Sequence, residues 1–366
     1  MSRRREIAAL AARAGRLSGL LGAQRLRRRR RGAFRAFVLE YHAVCPGPAE
    51  PEGAVSIERL RRHVRWLLRH GFHFDTVAGL AERLRTARRD ADLGADRVAL
   101  SFDDGYADNH DLAFPALRAE GAPATVYLVS GFLDGAPLWF DIVRRALDLA
   151  ATLHHHDAID RESAESLRRR LGAWPPASTG AAVRRLKQAP AEHRVAVTAD
   201  AACWLVAAER AGHAARPAAR AMTWAQARRL RDAGWELGAH TVTHPILSRL
   251  DAEAQEREIL DSRRRIDERL GAGTVRTFAV PNGSAADYDA TTREILAGAG
   301  FRAACTTRRG ANRPGDDLLQ LRRHGVGAEP TALLEARLGG WLDDERRAAW
   351  RRARRRVAAS RRTSDV

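Results

Sequence analysis

Lysine is almost missing from this chain. Of 63 basic residues only Lys187 is a lysine, while alanine is abundant. Such a bias reads as a GC-rich genome, and it weakens any reading of "RLRRRRRG" as a sequence selected for binding. Cysteine is scarce too: Cys45, Cys203 and Cys305 are odd in number and widely spaced. That excludes a disulfide framework and a paired-cysteine metal site, and leaves buried thiols in a reducing compartment as the expectation. Long apolar runs are lacking, which excludes a bilayer-spanning helix. The N-terminal "IAALAARAGRLSGLLGAQ" is broken by Arg13 and Arg16 and runs into more arginines, not a cleavage site. The expected location is cytoplasmic, free or peripheral at the inner membrane face.

The net charge of +18 is uneven. Residues 1–36 hold 12 arginines against Glu6, and residues 345–366 hold 9 against Glu345 and Asp365, so the body between is formally neutral. A nucleic-acid enzyme carries its basic stripe on the folded body, so no specific nucleic acid is expected. The arm reads either as a solvated tail or as an adhesive for an anionic membrane surface. Ile7, Leu10, Leu17, Leu20 and Leu21 can form an apolar face beside its arginines.

Periodicity supplies the body. "AFVLEYHAV", "RVALSF", "PATVYLVS", "WELGAH", "VRTFAVP", "FRAACTT" and "LLQLRRHGV" read as strands. Helices fall between them. "SIERLRRHVRWLLRHG" has Ser56 to cap it and Gly71 to end it; Thr223 and Asp251 cap two others. Strands alternating with helices predict a parallel sheet covered by helices, and about seven units favour a barrel. Residues 141–221 break the alternation. They are helical throughout, with no strand and no catalytic signature, and read as an insertion. Trp139, Trp174 and Trp204, at its edges and within it, read mainly as packing. His154, His155 and His156 read as exposed surface.

Polar clusters follow three strands: Asp103-Asp104-Gly105, "HTVTH" with His240 and His244, and Pro281-Asn282-Gly283. Alone, the first and third are turns, and two histidines at that spacing can simply pack. Together, at strand ends where parallel α/β folds collect reactive groups, they offer one carboxylate and two imidazoles. That is the donor set of a catalytic zinc with one position left open. The adjacent carboxylates then have separate uses, one holding the cation and one taking a proton from water. The residues by themselves leave open which is which.

"LEYHAV", "SFDDGYADN", "GAHTVTHPILSRL" and "FAVPNG" resemble successive signatures of the polysaccharide deacetylase family, the NodB-homology domain of carbohydrate esterase family four. The resemblance spans about residues 37–140 and 222–330. It implies an α/β fold, a distorted (β/α) barrel, here with an all-helical insertion. It divides the chain into a basic arm (1–36), two barrel halves (37–140 and 222–338) around the insertion (141–221), and a basic tail (339–366). It implies metal-dependent removal of acetyl groups, N-acetyl foremost, from a carbohydrate or glycan precursor, with a divalent metal, zinc, as cofactor. Asp104, His240 and His244 are the implied ligands and Asp103 the base, with Thr241 and Thr243 orienting the cluster. The Asn282 backbone N–H is the implied oxyanion donor and His324 the general acid. His42, Tyr106, Trp139 and Pro281 are the expected substrate contacts. An amidohydrolase acting on a non-sugar acetamide or imide, and a carbohydrate-binding pseudoenzyme, are the competing functions.

The chain departs from the family pattern in three places. Ala279 stands where the third motif carries an arginine that tethers the base, and Asn282 replaces a tyrosine; Arg276 is nearby but out of register. "NRPGDDLLQL" lacks the aspartate–tryptophan pair that flanks the acid. "LRRH" puts His324 one residue late for a Leu-x-His motif, and on a strand one residue turns a side chain to the opposite face.

Overall fold

In the computed structural model, residues 19–50, 53–153, 158–170 and 179–339 are described. The sheet runs β10-β1-β5-β6-β7-β8-β9, all parallel, with β4 added beside β5. In chain order these strands are β1 (Ala36–Tyr41), β4 (Phe72–Asp75), β5 (Asp96–Phe102), β6 (Ala124–Leu128), β7 (Glu236–Ala239), β8 (Thr277–Ala279), β9 (Ala303–Cys305) and β10 (His324–Gly325). A separate ribbon pairs β2 (Ala43–Cys45) with β3 (Ala54–Ser56). The sheet curls into a distorted barrel. Its seam is the segment 321–325: Leu321 bridges in parallel to Cys305 of β9, and His324 then pairs with Leu39 of β1.

Alternation along the strands splits the core in two. Ala36, Val38, Ala99, Tyr127, Ala279, Cys305 and Leu321 fill the barrel interior. Phe37, Leu39, Leu100, Val126, Leu237 and Phe278 face the helices. The same parity aims Glu40, Ser101, Asp103 and Arg323 inward, and turns His324 outward against Phe37, 6.2 Å between ring centres. The expected last strand is therefore short. Leu318–Gln320 is a single 3₁₀ turn, and only His324–Gly325 pairs as a strand.

Local chemistry explains the helix starts. Ser56 accepts from the Arg59 N–H, Thr223 forms a capping box with Gln226, and Asp251 accepts from the Ala254 N–H. Residues 139–210 form helices Trp139–Leu153, Ala158–Arg170, Thr179–Gln188 and Ala191–Arg210 around a hydrophobic cluster of their own, with no strand among the described residues. Trp204 packs there and donates to Ser163 Oγ at 2.9 Å. Trp174 and the histidine triplet lie outside the described residues, as do residues 1–18 and 340–366. Of the thiols expected to be buried only Cys305 is; Cys45 is half-buried and Cys203 exposed. No helix of the described residues is long and apolar enough to cross a membrane.

The described end of the basic arm is not a solvated tail. Helix Leu20–Arg30 lies against the body, and two of its arginines reach the start of β5. Arg28 pairs with both oxygens of fully buried Asp96 at 2.7 Å, and Arg29 Nε adds a third bond at 2.7 Å. Burial pushes the Asp96 carboxyl up, but the guanidiniums outweigh it and the net direction is down. Asp96→Asn should cost about 3 kcal/mol at neutral pH, because two guanidiniums lose their partner. A lower denaturant midpoint measures this. A carboxyl depressed on folding stabilises above the ordinary carboxylate range, so the gap between wild type and variant should close below about pH 4.

Candidate active site

The strand ends converge as their polar clusters suggested. Asp103 and Asp104 follow β5, His240 and His244 follow β7, and Asn282 lies past β8. All open on one cavity of about 620 Å³. Asp104, Thr241, His244 and Asn282 are the non-glycine residues with positive φ among the described residues, at 76°, 66°, 57° and 58°. Such backbone costs about 1–3 kcal/mol per residue and persists only where its surroundings enforce it.

Those surroundings are visible. Thr241 Oγ1 accepts from the His244 N–H at 3.0 Å, and Glu258 accepts from the N–H groups of Val242 and Thr243 at 2.8 and 3.0 Å. Thr243 Oγ1 also donates to Glu258, at 2.6 Å. The Gly131 N–H donates to the Val242 carbonyl, and a Cβ on Gly131 would sit 2.6 Å from that oxygen, so only glycine admits the approach. The Trp139 indole N–H donates to the His244 carbonyl at 3.0 Å. The helical segment is thus fastened to the histidine loop.

The donor geometry fits a cation. His240 Nδ1 lies 2.7 Å from the Ala279 carbonyl, which can only accept, so Nδ1 carries the proton and Nε2 presents its lone pair. That lone pair faces Asp104 Oδ1 at 3.6 Å, and His244 Nε2 faces the same oxygen at 3.5 Å. Burial pushes His244 down to about 3, so its imidazole is neutral at physiological pH. Buried Asp104 Oδ1 has no hydrogen-bond partner. A buried carboxylate oxygen that receives no hydrogen bond and faces two imidazole nitrogens is a costly arrangement, and a divalent ion among the three atoms relieves it. Glu40, His42 and Asp103 also cluster. There Arg323 already compensates both carboxylates, and no ion is needed.

Asp103 is held differently from its neighbour. Fully buried Arg323 grips it with two bonds, 2.7 and 2.8 Å, donates from Nε to the Thr306 carbonyl at 3.0 Å, and lies 3.7 Å from Glu40. Burial pushes the Asp103 carboxyl up, but Arg323 prevails and holds it well below the usual carboxylate range. Arg323 therefore supplies the tether absent at Ala279. It does so from the barrel seam, in the register Leu321-x-Arg323 where the family pattern has Leu-x-His. Arg276, the other candidate by proximity, is exposed and does not line the cavity.

The remaining expected residues divide. His42, Tyr106 and Asn282 line the cavity; Trp139, Pro281 and His324 do not. His324 is fully buried in the outer layer, Pro281 is buried, and Trp139 holds the His244 backbone. Arg323 and Glu40 were missed in the sequence, although strand parity points both inward. Arg144 and Lys187 of the helical segment also line the cavity, and no spacing signal marked them.

The polysaccharide deacetylase model matches residues 90–171 and 182–304, more than half of the chain. The chain belongs to the polysaccharide deacetylase family. Membership places it among hydrolases. It is 27% identical over 92 residues to YxkH of Bacillus subtilis (strain 168), whose name assigns it to the polysaccharide deacetylases; that match covers 25% of this chain and 31% of the relative's length. Among solved structures it resembles the Streptococcus pyogenes deacetylase PplD, solved with acetate, at 18% identity and TM-score 0.52, covering 82% of this chain and 97% of that one. It also resembles IcaB of Ammonifex degensii, at 19% and 0.52, covering 84% and 97%. At these identities the structural likeness establishes the barrel alone.

Arg323→Met leaves Asp103 buried without a counter-charge. The acid limb of the pH profile of hydrolysis should move up by about 1–3 units. An unmoved limb would show that the carboxylate's ionisation does not depend on this pair.

Proposed function

We propose that this protein removes acetyl groups, N-acetyl foremost, from a carbohydrate or glycan precursor, with a divalent metal, zinc, held by Asp104, His240 and His244. One observation carries the reading: two imidazole nitrogens and a carboxylate oxygen converge beside a second carboxylate that a buried guanidinium holds ionised. When bound, the metal polarises the substrate's acetyl carbonyl and acidifies water.

The chain's own residues do the rest. Asp103, fixed by Arg323, takes the proton from the attacking water. The Asn282 backbone N–H makes no hydrogen bond among the described residues, and its loop opens on the cavity. It serves as a donor to the oxyanion. Burial and the Asp104 charge push the Tyr106 phenol well above its usual range, so it stays protonated and can donate to substrate. His42, on the cavity wall with its Nε2 3.8 Å from Glu40, is the imidazole placed to return a proton to the leaving nitrogen. Residues 141–221 act as one helical insertion that walls the site. The arginine surplus at both ends of the chain supports action at the cytoplasmic face of an anionic membrane; a purely periplasmic protein on fractionation would overturn that placement.

Metal analysis paired with acetate release tests the reading. Wild type should hold about one divalent ion per chain, and His240→Ala should lose it. Asp103→Asn should keep the ion and lose activity by about 100-fold or more. Loss of the ion from Asp103→Asn would exchange the two aspartate roles. On a substrate panel, turnover of acylated amines or imides in place of acetylated sugars would move the activity to non-sugar amides. Retained metal with no turnover at all would make the protein a binding module.

A further inference from the structure

Two cations in the cavity have no hydrogen-bond or ion-pair partner among the described residues. The lining carboxylates are all accounted for. Asp103 and Glu40 face Arg323, Glu50 pairs with Arg59, Glu329 with Arg337, and Asp104 belongs to the ligand set. Arg144 and Lys187 line the same cavity and make no hydrogen bond or ion pair among the described residues. Among the described residues the Arg144 guanidinium meets the ring of Phe140, 5.9 Å from its carbon. Lys187 is half-buried on helix Thr179–Gln188, and Arg144 lies on helix Trp139–Leu153. Burial, then the Arg144 charge, pushes the Lys187 ammonium down, while Asp104, Asp287 and Glu40 oppose this. The two positive charges therefore sense each other and the metal-ligand pocket.

The composition sharpens the point. In this chain every other basic residue is an arginine, yet the one lysine stands in the wall of the catalytic cavity. A compact ammonium beside a planar guanidinium is a combination suited to an oxyanion, with one point charge and one fork. Two like charges on the wall of one cavity, neither with a hydrogen-bond or ion-pair partner among the described residues, leave room for an anion from outside.

We propose that Arg144 and Lys187 form an anion subsite in the substrate-binding cavity, and that the substrate carries a phosphoryl or carboxylate group beside its acetylated position. This rests on the deacetylase reading and narrows it. The neutral acetylated sugar is then a poor substrate, and the helical insertion selects the charged one.

The test uses the full-length, metal-loaded protein with N-acetylglucosamine, its 1-phosphate and an N-acetylated oligosaccharide containing a uronate. Wild type should favour at least one charged substrate by about 10- to 100-fold in kcat/KM, the range of one or two charge-assisted contacts. Arg144→Leu with Lys187→Met should remove that preference, raising KM far more for the charged substrate than for the neutral one and leaving metal content unchanged. Comparing the phosphate with the uronate identifies the anion. Equal rates on charged and neutral substrates in wild type would overturn the subsite while leaving deacetylation intact, and so would an equal loss on both in the variant. If wild type hydrolyses none of them, inorganic phosphate binding decides. Weaker binding in the variant keeps the subsite while the hydrolytic reading falls, and unchanged binding removes the subsite as well.

Discussion

The salt bridge between Asp103 and Arg323 joins the two ends of the design. Asp103 sits at the top of β5, near the centre of the sheet. Arg323 sits in the segment that closes the barrel, between its contacts to β9 and β1. Both are buried, so neither charge is tolerable alone. The pair thus constrains the seam to lie where the carboxylate needs it, and the carboxylate to stay ionised. Asp104, one residue on, takes a left-handed backbone that swings it away from Arg323 toward the two histidines. The two neighbouring acids face different ways, Asp103 toward the guanidinium and Asp104 toward the imidazoles.

Around this pair the rest of the site is held from outside. Glu258 gathers the N–H groups of the histidine loop, the Ala279 carbonyl sets the His240 tautomer, and Trp139 anchors the His244 backbone. The last contact gives the helical segment two relations to the chemistry. It is a wall, through Phe140, Arg144 and Lys187, and it is a brace for a ligand loop.

Much of this was legible in the chain. Caps at Ser56, Thr223 and Asp251 are local chemistry, and they start helices where they stand. The three polar clusters were readable because each follows an apolar run that stops abruptly. Strand β4 and helix Val77–Thr86 were passed over: the strand has only 4 residues, of which Phe72 alone is buried, although Val77, Leu80, Ala81 and Leu84 keep helical spacing. Arg323 was hidden differently. "LRRH" offers two arginines and a histidine in succession, and only the parity of the closing segment decides which faces inward. The histidine is fully buried in the outer layer and does not line the cavity; the arginine looked like more surplus charge. Arg144 and Lys187 had no signal at all, since their meeting depends on how two helices of the insertion pack.

The position of the tether also fixes how the molecule fails on warming. Seam segments with two paired residues open more readily than central strands, through local fluctuations that leave the core intact. Here such an opening would withdraw the guanidinium from the base. Activity would then carry a thermal ceiling of its own, set by opening at the seam and lying below the temperature at which the barrel melts.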